Sequence, residues 1–143
     1  MDYSIIVTNV RFPFYSCQTT SFNKEKQVKN IISQCDLIFL KEIHLVIEQN
    51  LNNAEFSNKE LAKKLHISVS QLFRKLKTLT KKSTSNYIRG IRLSNAARML
   101  KDSKFNIAEI AFMTGFNDPS YFTRAFVKEL GITPRKFRED SRK

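Results

Sequence analysis

The stretch IAEIAFMTGFNDPSYFTRAFVKELGITPRKFR, residues 107–138, decides the fold of this chain. Asn106 stands just ahead of it and caps a helix that ends near Gly115, a residue suited to helix termination. Asp118 begins a second helix, with Pro119 acceptable in its first turn, and Gly131 is a natural C′ residue at its end. Thr133-Pro134 opens a last short helix carrying Phe137.

Working outward from there, part of this segment occurs twice. Glu60-Leu61-Ala62 lines up with Glu109-Ile110-Ala111, an offset of 49 residues. Ser70, Leu72, Arg74 and Leu76 line up with Ser120, Phe122, Arg124 and Phe126, an offset of 50. The later copy therefore holds one extra residue in its turn, within Gly115–Asp118. Each copy reads as a short helix, a tight turn, and a helix with small and polar residues near its start. That is the helix-turn-helix plan, whose second helix enters the major groove N-terminus first. The shared alanine suits a close helix crossing, and the shared Leu/Phe positions anchor each second helix in its core.

The remaining pattern from Asp36 onward is helical. Asp36 is the expected N-cap of a first helix in which Phe39, Leu40, Ile43, Val46, Ile47 and Leu51 form one apolar stripe. Ser57, with Glu60 three residues on, reads as a capping box for a helix over about 57–65. After a turn at His66–Ser68, Ser68 or Ser70 caps a helix over 69–80, with Leu72, Leu76 and Leu79 on its buried side. A long helix over 84–102 follows, about 28 Å in length, against about 34 Å for one turn of B-DNA. Gly90 inside it costs about 1 kcal/mol relative to Ala, and close packing is the expected reason. The fold class predicted is all-α: seven helices, with helix-turn-helix subdomains at about 57–80 and 106–130 joined by the 84–102 linker helix. Residues 1–35 have strand-like pieces, IIVTNV and RFPFY, and are open to three readings: an arm, a linker, or the end of a missing upstream domain.

Composition narrows the partner. The chain has 143 residues, 41% of them hydrophobic, enough for a core. Lys and Arg number 25 against 13 acids, a net charge of +12. Leu61 to Lys101 holds eleven bases and no acid, the one-signed surface that a phosphate backbone attracts. Cys17 and Cys35, with His44 and His66 scattered, cannot compose a recognisable zinc site, so no metal and no cofactor is expected and the thiols read as free in a reducing cytoplasm. No apolar run approaches the roughly 20 residues of a membrane span, and the N-terminus, with Asp2 and a short Ile5-Ile6-Val7 run, is no signal peptide.

Residues 107–138 resemble the DNA-binding domain of the AraC/XylS family of transcription regulators, carrying its IA…GF…SYF.R.F….G.TP..FR pattern. FSNKELAKKLHISVSQLFRKLK (56–77) and YIRGIRLSNAARML (87–100) are similar to that family's first helix-turn-helix and linker helix, so the resemblance covers residues 36–143. It implies double-stranded DNA binding for transcription regulation, activation, and RNA polymerase as a partner. An upstream sensor or dimerisation domain would supply the signal. It also implies base contacts from Ser70, Phe73 and Arg74, and from Pro119, Ser120, Tyr121, Thr123 and Arg124. Arg can fork to guanine and Ser or Thr can serve either base type. Phe73 lies off its helix's buried stripe, so it is a base contact or a surface residue. Arg74 and Arg124 have the alternative of pairing with an acid. Asn58, Lys75, Lys77, Lys81, Arg89 and Ile107 fit phosphate contacts, which position without specifying, or, for each lysine, plain solvated surface. His66 and Lys81 depart from the family by standing where glycine is common, so the local caps are expected to differ there. Two other functions are weighed: a sequence-indifferent nucleic-acid binder, and a DNA-repair alkyltransferase, whose zinc-held cysteine chemistry needs more sulfur than two cysteines provide.

Overall fold

The computed structural model describes residues 33–142. These form seven helices and no strand: α1 (Gln34–Gln49), α2 (Asn58–Lys64), α3 (Val69–Thr80), α4 (Thr84–Asp102), α5 (Ile107–Met113), α6 (Pro119–Leu130) and α7 (Pro134–Ser141). The arm at 1–35 falls outside the described residues up to position 32. Its last two residues, Gln34 and Cys35, begin α1.

Polar caps set the helix starts. Ser33, rather than the expected Asp36, caps α1: its hydroxyl accepts the Asp36 N–H at 3.2 Å and donates to Asp36 Oδ2 at 2.7 Å. A serine immediately before a helix reaches back into the first turn, whereas Asp36 is already inside it and adds its charge to the positive helix end. Ser57 accepts the Glu60 N–H at 3.4 Å, but among the described residues no Glu60 carboxylate bond returns, so that box is half formed. Complete boxes stand at the starts of α3 and α5. Gln71 Oε1 accepts the Ser68 N–H at 3.0 Å while Ser68 Oγ accepts the Gln71 N–H at 3.1 Å. Likewise Glu109 Oε2 accepts the Asn106 N–H at 2.7 Å while Asn106 Oδ1 accepts the Glu109 N–H at 2.8 Å. Ser68→Ala and Asn106→Ala are each expected to lower stability by about 0.5–2 kcal/mol, measured by urea denaturation; no shift in the midpoint would deny these caps their role.

Two apolar cores result, and α4 belongs to both. Phe39, Ile43, Ile47, Leu61, Leu72 and Leu76 pack with Ile88 and Ile91 of α4. Leu93, Ala96 and Leu100 of the same helix pack with Ile110, Phe116, Phe122 and Phe126. The first half of α4 thus closes the first unit, and its second half opens the second. The boundary falls between Ile91 and Leu93.

Three further expectations change. Gly90 is not a close-packing site: a Cβ there would meet only Lys82 Nζ, at 3.9 Å. The caps at His66 and Lys81 do not differ from the glycine pattern; both residues take positive φ, 55° and 61°. The cost of roughly 1–2 kcal/mol that an L-residue incurs there is offset at Lys81 by hydrogen bonds, with its own N–H donating to Lys77 O at 3.0 Å and Lys77 Nζ donating to Lys81 O at 3.0 Å. Cys35 is disulfide-bonded rather than free, a pairing that depends on approach in space and that a cysteine count does not register.

Candidate nucleic-acid interface

The two turns are built alike. In the first unit, His66 N–H donates to Lys63 O and Ile67 N–H to Ala62 O, both at 3.1 Å. In the second, Gly115 N–H donates to Phe112 O at 3.1 Å and Phe116 N–H to Ala111 O at 2.9 Å. Ala62 and Ala111 are buried, which lets α3 and α6 cross close over α2 and α5. The likeness runs on: Lys81 and Gly131 both end their helices in the left-handed region, and Ser83 and Thr133 then cap α4 and α7.

The buried side of α3 is Leu72 and Leu76, and that of α6 is Phe122 and Phe126. Opposite them, Ser70, Phe73 and Arg74 are exposed on α3, and Ser120, Tyr121 and Arg124 on α6. Pro119 and Thr123 are half-buried. Phe73 leaves 46% of its surface in solvent, so no core contact accounts for it. Among the described residues, neither Arg74 nor Arg124 has an acid within 4.0 Å, which removes the ion-pair alternative for both. Thr123 Oγ1 donates to Pro119 O at 2.9 Å and keeps its lone pairs for an outside donor.

The residues expected at phosphates divide. Lys81 is exposed, and Ile107 is the first residue of α5. Asn58 exchanges hydrogen bonds with Ser85 at 3.0 and 3.3 Å, tying the start of α2 to the start of α4. Arg89 donates to Asn86 Oδ1 at 2.8 Å and to the Tyr121 hydroxyl at 3.2 Å, so α4 steadies the start of α6. Lys77 turns to the helix end described above. Lys75 turns toward α1 instead: its ammonium lies 3.6 Å from Asp36 Oδ1 and 4.4 Å from the centre of the Phe39 ring. The Ser33 hydroxyl, and then the Lys75 charge, hold the Asp36 carboxyl below its usual range.

Between the units runs an open groove of about 630 Å³, lined by Asn58, Arg89, Arg92, Asp118, Tyr121 and Arg124 among others. Sequence reasoning missed Arg92. It sits in the acid-free stretch, but nothing local marks it: its partner, the carbonyl of Asn53 at 2.8 Å, is 39 residues away. Burial pushes its guanidinium below the usual value. Among the described residues no cluster of three His, Cys, Asp or Glu could hold a metal, and no helix is long and apolar enough to cross a membrane.

Residues 61–140 match the family described as a helix-turn-helix domain. Over 106 residues the chain is 34% identical to histidine kinase P4 of Formosa agariphila, covering 74% of this chain and 8% of that protein. Over 92 residues it is 38% identical to the transcriptional activator RhaS of Mannheimia succiniciproducens, covering 64% of this chain and 34% of that protein. A transcriptional regulator of Chromobacterium violaceum, described by its AraC-type DNA-binding domain, superposes with a TM-score of 0.68 at 26% identity, over 73% of this chain and 93% of that one. The chain thus spans only a small part of the kinase and about a third of the activator.

A duplicated helix-turn-helix that exposes basic and polar side chains on both second helices defines a DNA-binding transcription regulator. The chain belongs to the AraC-type helix-turn-helix family. That family is one of DNA-binding regulators, not of alkyltransferases.

Proposed function

We propose that the chain binds duplex DNA sequence-specifically, with α3 and α6 in successive major grooves on one face of the duplex, and that it activates transcription in the cytoplasm. The observation that carries this reading is the duplication of the turn. Identical hydrogen bonds present Arg74 and Arg124 from matching positions, each without an acidic partner, on two heads that share one helix. A rigid helix of 19 residues, about 28 Å long, suits heads reading about one helical turn of DNA apart.

Ser70, Phe73, Arg74, Pro119, Ser120, Tyr121, Thr123 and Arg124 contact base edges in this reading. Asn58, Lys77, Lys81, Arg89 and the start of α5 at Ile107 meet phosphates. Lys75, held by Asp36, supports α3 from behind. The activator RhaS among the relatives supports activation, and an activator of this kind would act on RNA polymerase. The kinase relative supports the role of an output domain that answers a sensor elsewhere in a larger regulator. Selection of bound sites from random duplex DNA, followed by sequencing, is expected to return two short motifs about one helical turn apart. A flat, motif-free pool would support the sequence-indifferent binder instead.

A further inference from the structure

The duplication supplies its own control for one residue. Positions 66 and 115 are equivalent, make the same turn hydrogen bonds and share positive φ, 55° and 82°. His66 shows that this conformation accepts a side chain. Gly115 therefore owes its identity to what surrounds it as well as to its φ. A Cβ there would lie 2.5 Å from the carbonyl oxygen of Leu51 and 2.9 Å from Cζ and Nε of Arg92, inside the 3.0 Å that real Cβ atoms respect. The second equivalent pair behaves differently. Lys81 carries a side chain at φ 61°, and Gly131, at φ 78°, has nothing within 4 Å of an added Cβ. Of the two left-handed glycines, only Gly115 is held by contact.

Three segments meet at that point. Leu51 and Asn53 lie in the connection from α1 to α2, in the first unit. Gly115 is the recognition turn of the second. Arg92 lies between them and donates to Asn53 O at 2.8 Å. It also occupies the one place on α4 between Ile91, which belongs to the first core, and Leu93, which belongs to the second. Other bridges between the units, Lys82–Glu129 at 3.0 Å and Arg89–Tyr121 at 3.2 Å, each end on an exposed side chain of α6, and exposed pairs hold orientation weakly. The half-buried fork of Arg92, pressed on the backbone of both units, holds it best.

We propose that the Arg92–Gly115 junction fixes the angle between α3 and α6 and so sets the spacing between half-sites that the protein selects. Arg92 is a positioning residue, touching no base. The proposal rests on the two-groove reading above and adds to it the device that measures separation.

The test uses the full chain on duplexes carrying the selected motifs at the selected separation and at one and two base pairs more or less, with circular dichroism as the check of folding. Arg92→Ala, Arg92→Met and Gly115→Ala are compared with Gly131→Ala, which carries a comparable φ penalty and no clash. In the first three, the preference for the selected separation is expected to fall by roughly fivefold or more, while the base preferences within each motif stay as they were. Gly131→Ala is expected to keep the wild-type preference. Folded Arg92 variants that discriminate spacing as sharply as wild type would overturn the proposal. Should Arg92→Ala or Gly115→Ala lose helicity, Arg92→Met decides alone, because its stem fills the same space without the donor. If the wild-type chain shows two motifs but no spacing preference, the junction proposal fails by itself. If it shows no motifs, the two-groove reading fails and this proposal with it.

Discussion

Phe122→Ala is expected to destabilise the chain by about 3–5 kcal/mol. The Phe122 ring has no exposed surface. It lies edge-on to Phe116 at 5.1 Å and tilted to Phe126 at 5.7 Å, and Phe126 in turn meets Phe137 edge-on at 5.5 Å. Truncation would empty the middle of that row, and the surrounding rings, fixed on the α5–α6 turn, α6 and α7, could collapse only partly into the space. With a slope of about 1–3 kcal/mol per molar urea, the midpoint should fall by about 1 M or more. A loss below about 1 kcal/mol would mean that the second core is not packed around this ring.

Arg74→Ala and Arg124→Ala are each expected to weaken binding to the selected duplex by about 1–3 kcal/mol. Neither arginine is balanced by an acid among the described residues, so truncation leaves no orphaned charge behind. The loss then reports the contact with DNA. The two changes should also relax discrimination at different places, about one helical turn apart, because the arginines stand in equivalent positions on separate heads. Sequencing the sites selected by each variant would show this. Two variants that blurred the same base pairs would rule out a separate groove for each head.

Much of this architecture was legible in the sequence because it is written in local rules. Capping residues at Ser57, Ser68, Asn106, Asp118 and Thr133 set helix starts within a residue or two, and glycine at 131 set an end. The 49-to-50 offset revealed the duplication. What local rules could not reveal was set by distant partners or by space. Asp36 looked like a cap because Ser33, the better one, stood in a stretch with no helical pattern ahead of it. Gly90 suggested a tight crossing, yet an added Cβ there would touch only the end of the Lys82 side chain. Lys75 counted as one more free surface base, yet Asp36 and the Phe39 ring, on another helix, engage it. Arg92 was invisible as more than a charge, since its partner is a backbone carbonyl that any residue could offer. The exposure of Ser70, Phe73, Arg74, Ser120, Tyr121 and Arg124 on one side of their helices could be read in advance, because amphipathic spacing fixes which side faces out.

The shared helix α4 has a consequence for how such a chain can change. A single residue inserted near Arg92 would advance the second head by about 1.5 Å and swing it about 100° around the helix axis. That would carry it off the face of the duplex that the first head reads. Side chains on α3 and α6 can be exchanged one at a time, altering which bases are preferred. The length of α4 cannot drift in the same gradual way. Vocabulary is free to vary in this design, whereas the distance between the words is locked.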